Sequence, residues 1–189
     1  MEAKTELKKM AENYTQFIQG IIEKQQMLNV PFPINIDITK INEFTSVNDS
    51  ITTNIIYIIT TENIPDNIKK LYARGRENGW SISQYNEYRE CGYFSGEKCI
   101  YVGSCSKEGI NTRLRQHIGL SNSKGTSSLH LKHWWTDAKI KIYLFKFNNI
   151  VNSDDLQSIE DIVWDTCKPF LGKKGPRSRK FEKDNKKPR

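Results

Sequence analysis

The stretch from Cys99 to His117 reads CIYVGSCSKEGINTRLRQH, and the rest of the chain is organised around it. It opens as a short apolar strand, passes through a Gly/Ser turn, and enters a helix at Asn111, a residue type whose side-chain oxygen suits an N-cap. Arg113 and His117 lie four apart and share one face of that helix, while Leu114 and Ile118 share the adjacent apolar face. A strand ending in Tyr101-Val102-Gly103 therefore brings a phenol, an open backbone turn, a guanidinium and an imidazole to one side of a sheet. These groups suit the binding of a phosphate and the transfer of a proton.

Working outward, Asn54 to Thr61 is a near-continuous Ile/Tyr/Thr run, as expected of a strand buried on both faces. Asn63 to Asn78 reads as a helix with Pro65 in its first turn and Gly79 as its stop, and Trp80 to Phe94 is rich in aromatic and arginine residues. Beyond His117 comes a polar loop, Ser121 to Ser128, then Leu129-His130-Leu131-Lys132-His133-Trp134-Trp135, which reads as a short helix. Lys139 to Phe147 alternates as a strand with Ile140, Ile142 and Leu144 on one face. Ser153 to Lys168 reads as a helix capped by Ser153, with Asp154 and Asp155 complementing its dipole. Glu160 falls at the edge of that helix's apolar face. A carboxylate held there costs energy unless something pairs with it, and a divalent cation would.

Four of these segments, in this order, resemble the GIY-YIG nucleases, whose second signature strand reads Tyr-(Ile/Val)-Gly and is followed by an Arg-Leu-x-x-His-like spacing. Tyr101-Val102-Gly103 and Arg113-Leu114 through His117 fit both, and Thr53 to Ile59 is similar to the first signature strand. Glu160 with Lys168-Pro169-Phe170-Leu171-Gly172 is similar to the metal-binding helix and its exit. The resemblance implies an α/β (α+β) fold with a small mixed three-stranded sheet flanked by helices. It also implies hydrolysis of DNA phosphodiester bonds, most readily in double-stranded DNA, with Mg²⁺ or Mn²⁺.

That reaction needs an activated water, a cation against the transition-state charge, and help for the leaving oxygen. Glu160 would hold the metal, a hard ion suited to oxygen ligands, and Arg113 would fork onto the phosphate. Tyr57 would orient or deprotonate the water, Tyr101 would hydrogen-bond the water or phosphate, and His117 would share the proton transfer. Gly103, Ser104, Arg115, Lys124, Lys173 and Lys174 are the candidate substrate-binding residues. The rival reading is a non-catalytic DNA- or RNA-binding module that keeps the fold.

The chain departs from the family pattern in two places. The signature strands there are joined by a short hairpin, whereas 43 residues lie between Tyr57 and Tyr101 here. The first signature tyrosine is therefore either Tyr57, favoured because Ile55 to Ile59 has the β-branched character of a central strand, or Tyr93, which would pair with Tyr101 through Ser95-Gly96-Glu97. Family members also commonly carry a polar residue, often Asn, just after the last motif's proline. Here that region is Phe170-Leu171-Gly172.

At 189 residues the chain allows one ordinary domain with appendages. The expected division is a helical arm and connection over 1–50, a nuclease-like domain over 51–172 with 63–98 inserted between signature strands, and a basic tail over 173–189. Residues 3–29 have the spacing of an amphipathic helix, read as packing on the domain, with a homodimer through this helix as the alternative. Residues 34–53 read as an irregular polar connection. The net charge of +7 resides in the tail, where nine Lys/Arg after Gly172 face only Glu182 and Asp184. Such a tail either tethers the protein to a polyanion or solubilises it. Four cysteines, no signal peptide and no long apolar run predict reduced thiols in a cytoplasmic protein with no membrane span. Cys99, Cys105, His130 and His133 lack the close spacing of a zinc site.

Overall fold

The computed structural model describes residues 33–39, 44, 46–47, 53–86, 90–107, 109–122, 124–125, 127–147 and 153–174. Among them, five strands form one sheet: β1 (Ile34–Ile38), β2 (Ile55–Thr61), β3 (Tyr93–Phe94), β4 (Glu97–Cys105) and β5 (Ile140–Lys146), in the order β1-β5-β2-β4-β3. Three helices accompany it: α1 (Ile68–Glu77), α2 (Ile110–Ile118) and α3 (Ser153–Cys167), with a 3-10 turn at Leu131–His133. All the pairings are antiparallel, so the expected mixed three-stranded sheet is corrected to an antiparallel five-stranded one. The basis of the first correction is local: Ile34-Asn35-Ile36-Asp37-Ile38 alternates with period two, and it pairs with β5 from Ile34 opposite Leu144 to Ile38 opposite Ile140. A stretch read as irregular connection is thus an edge strand.

β2 is the centre of the molecule, with all seven residues buried between β4 and β5 and between two apolar layers. Ile55, Tyr57 and Ile59 face α2 (Leu114, Ile118) and Leu129, Leu131 and Trp134. Ile56 and Ile58 face α3, where Leu156, Val163, Trp164 and Cys167 pack. The Ile/Tyr run lacks polar alternation because neither face meets water. The β2–β4 register shifts at Ile59/Thr60, which pair with Tyr101 and Cys99 and leave Ile100 between them. This bulge turns both Ile100 and Tyr101 toward the α2 layer, whereas Cys99 and Val102 face α3.

Three local expectations are corrected. The helix expected from Asn63 begins at Ile68, after a turn in which the Ile68 N–H donates to Pro65 O at 3.0 Å. Asn111 does not cap α2: Gly109, at φ 125°, precedes the helix, and Asn111 lies in its first turn. Its amide instead holds the chain at Val47, accepting from the Val47 N–H at 2.6 Å and donating to its C=O at 3.1 Å. Only Leu131–His133 of the expected 129–135 helix is helical, because His130 takes a left-handed conformation at φ 50°. The N-terminal helix, its dimer alternative and tail residues 175–189 lie outside the described residues. No helix among the described residues is long and apolar enough to cross a membrane, and all four cysteines are free.

Candidate functional site

The register of β2 on β4 sets Tyr57 directly across from Gly103. A Cβ at position 103 would lie 2.5 Å from Tyr57 Oη and 2.7 Å from Tyr101 Cε1. Glycine is therefore needed for clearance: two phenol rings cross the strand where it has no side chain. Their centroids are 6.1 Å apart at 25°, and the His117 ring sits 4.6 Å from Tyr101 and 5.5 Å from Tyr57. Tyr93, by contrast, is about half exposed on the edge strand with Lys98 Nζ 4.1 Å over its ring. The structure brings Tyr57 to Tyr101 and leaves Tyr93 outside.

His117 is fully buried behind the tyrosines, with Nε2 2.9 Å from Tyr57 Oη. The Leu129 N–H donates to its Nδ1 at 3.2 Å, which fixes the tautomer. Burial, reinforced by Arg113 and His130, pushes the imidazole pKa well below its ordinary value, so the ring is neutral and its one proton is on Nε2. His117 therefore donates to the Tyr57 oxygen rather than accepting from it. The expected sharing of a proton becomes orientation: the phenol's own proton is free to point elsewhere. Burial first, and then the neighbouring Tyr101, raise the Tyr57 pKa well above its ordinary value, although Arg113 opposes them. Tyr101 is raised in the same way, mainly by burial. Both phenols are neutral near pH 7.

Arg113 enters from α2, half buried, its Nη1 donating to Gln116 Oε1 at 3.1 Å and to Ser128 Oγ at 3.4 Å. Burial opposes its charge, but Tyr57 and Tyr101 beside it more than compensate, and the net shift is upward. Glu160 enters from α3 on the opposite side of the sheet and accepts a hydrogen bond from the Ser104 hydroxyl of β4. Burial raises its carboxyl pKa, partly offset by Ser104, Gln157 and Arg113. The two faces of the sheet can contribute to one site because β3 pairs only with Glu97 and Lys98 and leaves the rest of β4 uncovered by that strand.

Tyr57, Tyr101, Arg113 and Glu160 line one open cleft of about 560 Å³, together with Gly103, Ser104, Lys173 and Lys174, whereas His117 lies buried behind the tyrosines and does not line it. Lys174 is also drawn toward α3, where it pairs with Asp165. Arg115 and Lys124 do not line the cleft. Arg115 is exposed on α2, and Lys124 lies over the Trp80 ring at 5.4 Å. His130 and His133 are structural, tilted and stacked on Trp80 at 4.9 and 3.6 Å, and His133 Nε2 meets Gly119 O at 3.0 Å.

The sequence reading missed the other wall of the cleft: Tyr72 and Arg76 of α1, then Ser83, Gln84 and Ser127. Its only signal was the aromatic and arginine-rich composition around Trp80. Among the described residues, no three His, Cys, Asp or Glu side chains gather as a metal site. Mg²⁺ commonly uses one or two carboxylates and keeps several waters. Glu160, with the Ser104 hydroxyl and the Gln157 amide beside an open cleft, offers oxygen donors of that kind. Comparison with protein-family models, curated proteins and solved structures finds no match.

Proposed function

We propose that the chain is a divalent-metal-dependent DNA endonuclease of the GIY-YIG type. The observation that carries this reading is the convergence of Tyr57, Tyr101, Arg113 and Glu160, from β2, β4, α2 and α3, on a single cleft around Gly103. In this reading β2, β4 and β5 are the three strands that the family resemblance implies, and β1 and β3 are additions at the two edges.

Arg113 binds the scissile phosphate with a fork fixed by Gln116 and stabilises the charge that develops there. Tyr57 orients the attacking water: a phenol whose pKa is raised by burial donates or accepts a hydrogen bond at neutral pH but does not serve as a ready base. His117 holds the Tyr57 oxygen from behind, and Tyr101 is placed to bond the water or a phosphate oxygen. Glu160 would hold Mg²⁺ or Mn²⁺, and the ion, when bound, would supply Lewis-acid stabilisation of the phosphoryl oxygens. Ser104 keeps the carboxylate turned toward the cleft. Four free thiols suit a reducing compartment such as the cytoplasm.

Supercoiled plasmid incubated with Mg²⁺, with Mn²⁺ and with EDTA tests this reading. Nicked or linear products that need the metal are expected. Intact plasmid that is nonetheless shifted in a gel would instead favour the binding module.

A further inference from the structure

The residues between β2 and β4 look in sequence like an appendage, yet α1 and residues 80–86 among them are fastened to the core at several points. The Ser81 and Ser83 N–H groups donate to Lys124 O and Ser128 O at 3.0 and 2.9 Å, the Gly172 N–H donates to Gln84 O at 2.8 Å, and Asn86 N–H donates to Phe170 O at 2.9 Å. Tyr72 packs its ring on Tyr85 and Trp134 at 5.3 and 5.8 Å. α1 itself comes so close that a Cβ on Gly75 would lie 2.7 Å from both Ile82 Cδ1 and Trp134 Cβ. A glycine inside a helix costs up to about 1 kcal/mol relative to alanine. Here it permits a contact that fixes the helix against the core.

The next residue, Arg76, is carried by that fixed helix into the cleft. Its Nη1 donates to Ile82 O at 3.2 Å, which anchors one corner of the guanidinium and leaves most of its donors for a ligand. Among the described residues, no carboxylate pairs with it. Ser83, Gln84 and Ser127 add polar groups to the lining of the same cleft. The cleft is in the size range that holds a drug-sized ligand, far more than one phosphate needs.

We infer that this wall is a second phosphate subsite, in which Arg76 grips the DNA backbone beside the bond that Arg113 and Glu160 address. The inference rests on the nuclease reading of the same cleft, and names the role of the wall that reading leaves unused. Arg76 is here a positioning residue: it binds ground state and transition state alike, so its loss raises KM and Kd and spares kcat.

The test is the full-length protein with a fluorescent DNA duplex in EDTA, followed by steady-state cleavage with Mg²⁺, for the parent, Arg76→Ala, Arg76→Gln, Arg76→Lys and the exposed neighbour Arg74→Ala. Arg76→Gln keeps an N–H donor for Ile82 O, so it separates lost charge from lost fold. Arg76→Ala and Arg76→Gln should weaken binding by roughly fivefold or more, lower the salt slope of log Kd by about 1, and leave kcat within about threefold. Arg76→Lys should recover the salt slope, and Arg74→Ala should resemble the parent. A parent that binds and cuts while Arg76→Gln keeps its Kd and salt slope overturns the subsite alone. A fall in kcat with Kd unchanged overturns it too, since Arg76 would then act in the chemistry. A parent that neither binds nor cuts overturns the nuclease reading itself.

Discussion

At the scale of single residues, burial decides what each group can do. Tyr57→Phe keeps the ring packed but leaves the buried His117 Nε2–H without its acceptor, so it should lower stability by about 1–3 kcal/mol, while cleavage falls by about 10² or more. Tyr93→Phe should cut as the parent does, because its ring is at the exposed edge of the sheet. Plasmid cleavage and thermal melting of both variants check the pair, and an inactive Tyr93→Phe beside an active Tyr57→Phe would exchange the two assignments. Glu160 makes a prediction of opposite sign for stability. Its carboxyl pKa is raised by burial, so it adds stability only below the pKa of the unfolded chain, near 4.5, and that contribution is lost as pH rises through the folded value. In EDTA at pH 7, Glu160→Gln should therefore melt at or above the parent, and the gap should close by pH 4. Added Mg²⁺ should raise the parent's melting temperature and not the variant's. A metal shift of equal size in both would remove Glu160 as the ligand.

At the scale of elements, α1 and segment 80–86 are held by close backbone approach. Gly75→Ala gains helix propensity of up to about 1 kcal/mol but forces a methyl into the space of Trp134 Cβ, and overpacking of that kind costs about 1–3 kcal/mol. The net expectation is a drop of about 1–2 kcal/mol, a melting shift of roughly 2–8 °C for a domain of this size, with KM for DNA rising because the Arg76 wall moves. An unchanged melting temperature and KM would show that the helix is free to retreat. The same approach explains what the sequence could disclose. α2, β5 and α3 were legible because their apolar periodicity is the record of their burial, and β2 because its unbroken apolar run records burial on both faces. β1 alternates as plainly, but Pro33 just before it and the polar residues within and after it hid five residues that are only partly covered. The pairing of Tyr57 with Gly103 was not readable, since 45 positions of sequence separate the two and no tight turn joins β2 to β4 to set their register. Asn111 misled because an amide that can cap a helix can equally well bind a backbone at a distance, and here Val47 holds it.

At the scale of the whole molecule, the proposed nuclease function would divide the work of holding a polyanion between the cleft and the basic tail. The sequence disclosed the second readily, because charge survives without any knowledge of packing, and disclosed only half of the first, because the Arg76 wall exists through contacts distant in the chain. Lys173 and Lys174 line the cleft, whereas the remaining basic residues follow them. Ending the chain after Lys174 removes Arg177, Arg179, Lys180, Lys183, Lys186, Lys187 and Arg189 with Glu182 and Asp184, which takes the formal charge from +7 to +2. If the tail tethers the protein to DNA, its contacts are phosphate contacts, each adding about 0.9 to the salt slope of binding and none reading a base. The shortened protein should then bind every duplex more weakly at about 0.1 M salt, with a slope smaller by several units, and should cut at an unchanged kcat once DNA saturates it, since every cleft residue remains. Fluorescence titrations across a salt series, with single-turnover cleavage beside them, measure both quantities. Equal affinity and equal slope would make the tail a solubilising end and leave the whole of DNA binding to Arg76, Arg113 and Lys173 in the cleft.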